Sequence, residues 1–348
     1  MLHNDRSLDA QIKFAQHKAF SLMETLDWII FFSLVPILLF IDLKLFNKGE
    51  NKVIGFRQSI ILSAWYIAAA LAFGLLVWHH YGADRAMNYY TAYVIEKSLS
   101  LDNLFVMSVI FSAFSIPREY QHRVLVWGII GVIFLRGIMI SSGAALVHNF
   151  DWVLYVFAAI LIFTGIRMLF MDDGDNLDHF EEKPLVVFLK KHFAFTPKIH
   201  GNKFIVPKSE CLDEEKKGSK SAFIATPLLL ALIVIEISDV IFAVDSIPAA
   251  LSVTTDVFVV FTSNIFAVLG LRALFFAVEH VIERFELMKY ALSAVLIFIG
   301  GKVFYNGMFG HISPAVSLTV TLSVLTAGVV FSLIKTRGDG TGTDENQT

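Results

Sequence analysis

The stretch ALIVIEISDVIFAVDSIPAALS, residues 231–252, decides the fold of this chain. It is long and apolar enough to cross a bilayer as a helix, yet it contains Glu236, Asp239 and Asp245. One carboxylate at bilayer depth costs about 2.5–3.5 kcal/mol on insertion scales, so three of them need partners. Acids in such a position are typical of ion or proton pathways. The alternative is that they only pair with buried Arg or Lys residues of other helices.

The composition is that of a polytopic membrane protein. Of the 348 residues, 56% are hydrophobic and 17% are charged, whereas a soluble domain of this length carries more charge. The sequence contains no basic run of the kind that predicts nucleic-acid binding. It contains neither a P-loop nor the residue arrangement of a soluble catalytic site, so an enzyme is not expected. The single cysteine, Cys211, allows neither a disulfide within one chain nor a thiolate metal site.

Nine apolar segments of spanning length predict an all-α fold of about nine transmembrane helices. We place them near 27–46, 58–78, 88–114, 123–147, 152–171, 223–250, 256–279, 287–307 and 314–334. The predicted organisation is an extracytoplasmic lead (1–26), two helices (27–87), a first unit (88–171), a cytoplasmic loop (172–222), a second unit (223–307), a last helix (308–335) and a disordered tail (336–348).

The distribution of Lys and Arg predicts the orientation of these spans. Most cations lie after the first, third, fifth and seventh spans and in the tail, whereas the lead and the remaining loops hold few. Because positively charged loops stay in the cytoplasm, the N-terminus is predicted outside and the C-terminus inside. The long loop at 172–222 starts acidic and turns basic, and we interpret it as a solvated linker.

Two units of three spans form an internal repeat. Each contains, in the same order, two acids six residues apart, a buried arginine and a motif beginning with LIF: Glu96, Asp102, Arg136 and LIFTGIR in the first, and Asp239, Asp245, Arg272 and LIFIGGK in the second. Because each unit has an odd number of spans, the second copy is predicted to be inverted. Inverted repeats are typical of secondary transporters, with the site near the midplane between the repeats. A duplication without a transport role is the alternative.

The spacing of the acids constrains what they can bind. Helical residues six apart point about 120° away from each other, so the two acids of a pair cannot share a ligand on one straight helix. Either the helix is broken between them, or they line different parts of a path. Pro248 favours a break in the sixth span, which would free the carbonyl of Val244 beside Asp245. Ser98 and Ser100 would loosen the third span more weakly.

The candidate ion site consists of oxygen ligands: Glu96, Asp102, Asn103, Glu236, Asp239, Asp245, Ser246 and Asn264. Hard divalent cations such as Mn²⁺, Mg²⁺ or Ca²⁺ prefer oxygen, and the lack of a mid-span His disfavours Zn²⁺ and Cu⁺. Because burial favours the protonated form of a vacant carboxylate, exchange of the cation for protons is expected. Arg136 and Arg272 are interpreted as supporting charges for these acids, or as structural ion pairs.

The motifs EKSLSLDN (Glu96–Asn103) and EISDVIFAVDSIPA (Glu236–Ala249) resemble the paired acidic motifs of the TerC/Alx family of bacterial membrane proteins. The segment TSNIFAVLGLRALFF (Thr262–Phe276) is similar too, and the resemblance extends from about Ile60 to Leu333. The family is associated with manganese export and tellurium resistance, and it resembles the LysE-type cation exporters.

The resemblance implies that the exported cation is Mn²⁺. Together with the exchange for protons expected from the buried acids, it predicts a multi-pass protein of the bacterial inner membrane that exports Mn²⁺ in exchange for protons. On this reading Asp102 and Asp245 are the central ligands. Glu96 with Asp239 or Glu236 completes the shell or relays protons. Export of Ca²⁺ is an alternative within the same class. A membrane scaffold for metal loading or stress resistance, without transport, is an alternative from a different class.

Overall fold

The computed structural model describes residues 23–42, 55–170, 196, 198–208, 223–278 and 288–339. These residues form ten helices and a two-stranded sheet: α1 (Met23–Asp42), α2 (Phe56–Tyr81), α3 (Ala83–Ala113), α4 (Arg118–Asn149), α5 (Trp152–Phe170), β1 (Ile205–Pro207), β2 (Phe223–Ala225), α6 (Pro227–Val253), α7 (Val257–Leu269), α8 (Leu271–Val278), α9 (Met288–Met308) and α10 (Pro314–Asp339). An all-α polytopic membrane protein is thereby confirmed. Most of the predicted lead, loop and tail lies outside the described residues.

Eight helical segments of the described chain are long and apolar enough to cross a membrane, with α7 and α8 together forming one of them. The helix α3 is longer than most of these but is not among them. It carries the charged residues Asp84, Arg85, Glu96, Lys97 and Asp102. It packs against six other helices: α2, α6, α7, α8, α9 and α10. We therefore place α3 inside the bundle as the third of the nine predicted spans, where neighbouring helices bury Glu96.

Burial separates central from peripheral spans. In the most apolar window of the α7–α8 span 89% of the residues are buried, against 22% in α1, α5 and α10. Large apolar side chains on the peripheral helices point outward, among them Phe163 and Phe170 of α5. Since lipid tails solvate such side chains, the exposed surface of these helices fits a bilayer. The α7–α8 span, which carries Asn264 and Arg272, is thus the most buried of these spans.

Two boundaries differ from those predicted. The sixth span begins at Pro227, because Phe223–Ala225 pairs with Ile205–Pro207 as an antiparallel strand. Proline suits the first turn of a helix, where its missing N–H is not needed. The prediction that the loop at 172–222 is only a solvated linker is therefore wrong for residues 205–207, which form a strand of this sheet. The seventh span is interrupted at Gly270, which separates α7 from α8.

The two LIF motifs lie on α5 and α9, which pack closely against each other. A Cβ at Gly165 would lie 2.8 Å from Ile297, and a Cβ at Gly300 would lie 2.8 Å from Ile162. Gly165 and Gly300 occupy equivalent positions in the two motifs, and so do Ile162 and Ile297. The contact is therefore reciprocal, as at an interface between two equivalent copies.

Reciprocal packing extends to the other helices of the two units. The first helix of each unit packs against the second helix of the other, α3 against α7 and α4 against α6, and the two first helices, α3 and α6, also contact each other. This arrangement agrees with two equivalent units, while their inversion stays a prediction. The acidic motifs of both units are brought to one interface, as the repeat predicts.

Candidate functional site

A buried arginine occupies the interface between the two units. Arg136 of α4 donates from Nε and Nη2 to the two carboxylate oxygens of Asp239 on α6, over 3.0 and 2.8 Å. Its Nη1 also donates to the carboxylate of Glu96 on α3. All three residues are at most 3% exposed. One guanidinium thus binds two carboxyl groups from different units.

Two amides complete this cluster. Asn264 of α7 accepts a hydrogen bond from Arg136 Nη1 over 2.7 Å and donates from Nδ2 to Glu96 over 2.8 Å. Asn103 of α3 donates from Nδ2 to Asp239 over 3.2 Å. Hydrogen bonds to charged groups are about twice as strong as neutral ones, so the network holds its four helices in register. We refer to Glu96, Asn103, Arg136, Asp239 and Asn264 as the Arg136 cluster.

A cavity of about 500 Å³ adjoins the Arg136 cluster. Polar side chains from both units line it: Glu96, Asn103, Arg136, Thr164, Arg167, Asp245 and Ser246. Asp245 is half-buried and accepts a hydrogen bond from Thr164 Oγ1 of α5 over 3.0 Å. Ser246 is buried, and its hydroxyl has no hydrogen-bond partner in the described part of the chain. The cavity therefore presents carboxylate, amide and hydroxyl oxygens at the depth of the spanning helices.

Glu236 lies apart from this cavity, against α4. A Cβ at Gly131 would collide with its carboxylate, and one at Gly128 would lie 3.8 Å from its Oε1. Both carboxylate oxygens are buried, and neither has a hydrogen-bond partner among the residues described. Leaving a buried polar group unsatisfied costs about 1–3 kcal/mol, and more for a charged one. Glu236 is thus a carboxyl group free to take a proton or an ion.

The second arginine of the repeat is placed elsewhere. Arg272 of α8 forms an ion pair with Asp42 at the end of α1, and Tyr66 of α2 donates to Asp42 over 2.7 Å. Nη1 of Arg272 also lies 2.7 Å from Nε2 of His122 at the start of α4. The structure therefore does not bring Arg272 to the acids that it was predicted to support. Its partners connect the first two helices to the second unit.

The acid pair of the second unit behaves as its spacing requires. Asp239 faces Arg136 on α4, whereas Asp245 faces Thr164 on α5. The helix α6 nevertheless runs unbroken through Pro248, so the predicted break in the sixth span is wrong. Residues 246–252 are all buried, and this packing outweighs the cost of the missing hydrogen bond. The helix α3 likewise continues past Ser98, whose hydroxyl donates to the carbonyl of Val94.

The predicted ligands are thus divided among three places. Glu96, Asn103, Asp239 and Asn264 lie in the Arg136 cluster, and the first two also line the cavity with Asp245 and Ser246. Glu236 lies against Gly128 and Gly131 of α4, and the side chain of Asp102 lies outside the described residues. Among the residues that are described, no group of three or more His, Cys, Asp or Glu is arranged to hold a metal ion. Any cation in the cavity would combine carboxylates with amide, hydroxyl or water oxygens.

Sequence reasoning missed Thr164, Asp42 and Tyr66. Thr164 stands inside the LIFTGIR motif, at the position that Ile299 occupies in the second copy, so its hydroxyl marks a difference between the units. Asp42 is an acid at the end of an apolar run, which is itself a signal for a buried cation elsewhere in the chain. Tyr66 gives no such signal, since aromatic residues are common in spanning helices.

Comparison with known proteins agrees with these motifs. The model of the integral membrane protein TerC family matches residues 81–339, which include every helix of the Arg136 cluster and of the cavity. The chain belongs to the TerC family. It follows that the multi-pass membrane character of the chain is shared with the family, while α1 and most of α2, with Asp42 and Tyr66, precede the matched region.

Several TerC relatives match nearly end to end. An uncharacterised membrane protein of Rickettsia conorii is 43% identical over 312 residues, 89% of this chain and 98% of the relative. An uncharacterised membrane protein of Myxococcus xanthus is 43% identical, covering 89% and 92%. A protein of Salmonella typhi, provisionally named membrane-bound redox modulator Alx, is 42% identical, covering 88% and 93%. No solved structure matches the chain.

Proposed function

We propose that this TerC protein exports a hard divalent cation, Mn²⁺, across the bacterial inner membrane in exchange for protons. The observation that carries the proposal is the cavity of about 500 Å³ lined by Glu96 and Asp245 from the two units. Carboxylates at this depth are costly unless they serve an ion or a proton. Their supporting oxygens, from Asn103, Ser246 and Thr164, are those that hard cations prefer.

Asp245 is the proposed principal ligand. Unlike Glu96 and Asp239, it forms no hydrogen bond with an arginine in the described part of the chain, and the hydrogen bond from Thr164 leaves one of its carboxylate oxygens available. The unpartnered hydroxyl of Ser246 lies next to it in the sequence. Glu96 extends the site toward the Arg136 cluster, where an arriving cation competes with the guanidinium for the same carboxylate. Asp102, on the same helix, is proposed as a further ligand.

Protons are the proposed counter-ion, and Glu236 is the proposed carrier. Its carboxylate is buried against α4 without a hydrogen-bond partner in the described structure, so protonation removes an uncompensated charge. Glu236 and Asp239 are three residues apart on one helix. A change at one of them is therefore felt by the other. The cation and the protons would use adjacent but separate carboxylates.

The distribution of Lys and Arg supports an N-terminus outside and a C-terminus in the cytoplasm. The donor set alone does not distinguish Mn²⁺ from Ca²⁺, since both accept carboxylate and amide oxygens. Mn²⁺ is proposed because the acidic motifs resemble those of a family associated with manganese export. Ca²⁺ is therefore the control ion in the experiment below.

One observation favours a second candidate, a scaffold that does not move ions. Arg136 binds both Glu96 and Asp239, which removes two acids from immediate use and gives them a structural role. The name of the Salmonella relative suggests redox modulation as a further activity. With Cys211 as its single cysteine, this chain forms no disulfide by itself, so a thiol–disulfide mechanism would require a partner.

The experiment is reconstitution of the purified full chain into sealed liposomes that contain an ion-sensitive dye and a pH-sensitive dye. A Mn²⁺ gradient is expected to drive Mn²⁺ across the membrane with opposite movement of protons, faster than a Ca²⁺ gradient drives Ca²⁺. Asp245→Asn is expected to abolish this flux, whereas the exposed Asp84→Asn keeps it. If the parent chain moves neither ion, the exporter proposal fails and the scaffold is favoured.

A further inference from the structure

A partly buried lysine lies beside the interruption of the seventh span. The helix α7 ends at Leu269, and the N–H of Gly270 turns back to the carbonyl of Val268. The carbonyl of Ala267 accepts a hydrogen bond from Nζ of Lys97 on α3, over 2.9 Å. A partly buried ammonium group of one unit is therefore bound to the main chain of the other, three residues before the break at Gly270.

The space for this ammonium group depends on a glycine. A Cβ at position 270 would lie 2.7 Å from Nζ of Lys97 and 3.3 Å from Cβ of Tyr66. Both distances are shorter than ordinary van der Waals contact. Any other residue at position 270 would press on the lysine, so Gly270 both interrupts the span and leaves room for the charge.

The end of a helix is an electrostatically suitable place for a cation. The last carbonyl groups of α7 lie at the negative end of its helix dipole. In secondary transporters with broken helices, such carbonyl groups coordinate Na⁺ or another coupling ion. In this chain the ammonium of Lys97 occupies that place.

The lysine also adjoins the candidate site directly. Glu96 precedes Lys97 on α3, and Asn264 precedes Ala267 by three residues on α7. Glu96 binds Asn264, and Lys97 binds the Ala267 carbonyl, so two consecutive residues of α3 attach to one turn of α7. Removal of the hydrogen bond between Lys97 and the Ala267 carbonyl therefore allows the contact between Glu96 and Asn264 to shift.

We infer that the Lys97 ammonium is a built-in cation that fills the carbonyl site at the α7–α8 interruption and thereby positions Glu96 against Asn264. Lys97 is a positioning residue, and the inference rests on the proposed function of the neighbouring cavity. It also specifies the coupling. A transporter whose broken-helix site is filled by its own lysine needs no Na⁺ there, so transport by the parent chain is independent of Na⁺.

The test measures Mn²⁺ flux in liposomes for the full chain and for three substitutions at one position. Lys97→Arg keeps the charge and is expected to keep most of the flux. Lys97→Gln keeps a hydrogen-bond donor without the charge, and its Mn²⁺ flux is expected to be about tenfold lower than that of the parent. A decrease of this size is expected when a buried polar group is left poorly paired. Lys97→Ala is expected to lose more, and to regain flux when methylammonium or Na⁺ is added but not with choline. Ser98→Ala is the control, because its hydroxyl binds only its own helix.

A second measurement, thermal unfolding of the purified proteins, does not depend on transport. Methylammonium is expected to raise the unfolding temperature of Lys97→Ala but not of the parent or of Ser98→Ala. The inference is overturned if Lys97→Gln transports like the parent, or if methylammonium changes neither the flux nor the unfolding temperature of Lys97→Ala. If the parent itself is inactive, the proposed function fails, while the thermal comparison still decides whether a cation fills this place.

Discussion

Arg136 and Asp239 form a bidentate ion pair across the interface of the two repeat units, with hydrogen bonds of 3.0 and 2.8 Å. The pair joins α4 of the first unit to α6 of the second, and Glu96 shares the same guanidinium. Planar bidentate geometry is specific to arginine, since a lysine presents only a point charge. The two acidic motifs are therefore held together by an arginine that belongs to the repeat itself.

Asp239→Asn removes one of the two carboxylates that Arg136 binds, and Arg136 keeps its contact with Glu96. We predict that the substitution lowers the free energy of unfolding by about 1–3 kcal/mol, because a neutral amide replaces the carboxylate that accepts from Nε and Nη2. Reversible unfolding of the purified protein in mixed detergent micelles measures the change. The control is Asp84→Asn, which alters an exposed acid of α3 and should change the value little. Equal stability of Asp239→Asn and the parent would show that the pair does not hold the two units.

The Arg272–Asp42 pair predicts a coupling between two helices far apart in the sequence. Asp42→Asn and Arg272→Met should each destabilise the chain, and the double substitution should cost less than the sum of the two. The expected interaction energy is about 1–3 kcal/mol, because the residues are in direct contact. A double-mutant cycle in the same unfolding experiment measures it. Strict additivity of the two single effects would contradict the ion pair.

The close contact between Gly131 and the Glu236 carboxylate predicts that the cost of a larger residue at position 131 depends on Glu236. A Cβ at this position collides with the Glu236 carboxylate, so Gly131→Ala should destabilise the chain by about 1–3 kcal/mol and impair proton movement. In a Glu236→Ala background the same substitution should cost much less. Gly301→Ala is the matched control, because a Cβ there meets nothing within 4 Å. An equal cost in both backgrounds would rule out the contact.

The hydroxyl of Thr164 predicts an effect on ion affinity without loss of the fold. Thr164→Val removes the hydrogen bond to Asp245 at nearly constant volume, and the loss of about 1 kcal/mol should raise the KM for Mn²⁺ roughly fivefold. Flux in liposomes at a series of Mn²⁺ concentrations measures it. Thr319→Val serves as control, since that hydroxyl binds only a carbonyl of its own helix. An unchanged KM would show that Thr164 does not contribute to binding of the ion.

Much of this architecture is encoded in local patterns. Apolar length predicts the spans, and the six-residue spacing predicts that Asp239 and Asp245 face different neighbours, as they do. The shared position of Arg136 and Arg272 predicts that both are buried. Such signals are readable because each depends only on residues within one or two turns of a helix, or on a repeat of the same letters.

The partners of these residues are not encoded locally. Arg136 and Arg272 stand at equivalent positions, yet one meets the acids of the interface and the other meets Asp42 of a helix outside the repeat. The interruption occurs at Gly270 rather than Pro248, because burial on all sides keeps α6 continuous, while Lys97 stabilises the end of α7. These choices depend on which helices surround each residue.

The central claim is that the cavity between the two units binds the transported cation. Anomalous scattering from crystals of the full chain grown with Mn²⁺, recorded near the manganese absorption edge, tests it most directly. A peak is expected within about 2.6 Å of an Asp245 carboxylate oxygen, in the cavity that Glu96 and Ser246 also line, and no such peak is expected for Asp245→Asn. A map with manganese only elsewhere, or with none in the membrane-spanning region, would contradict it.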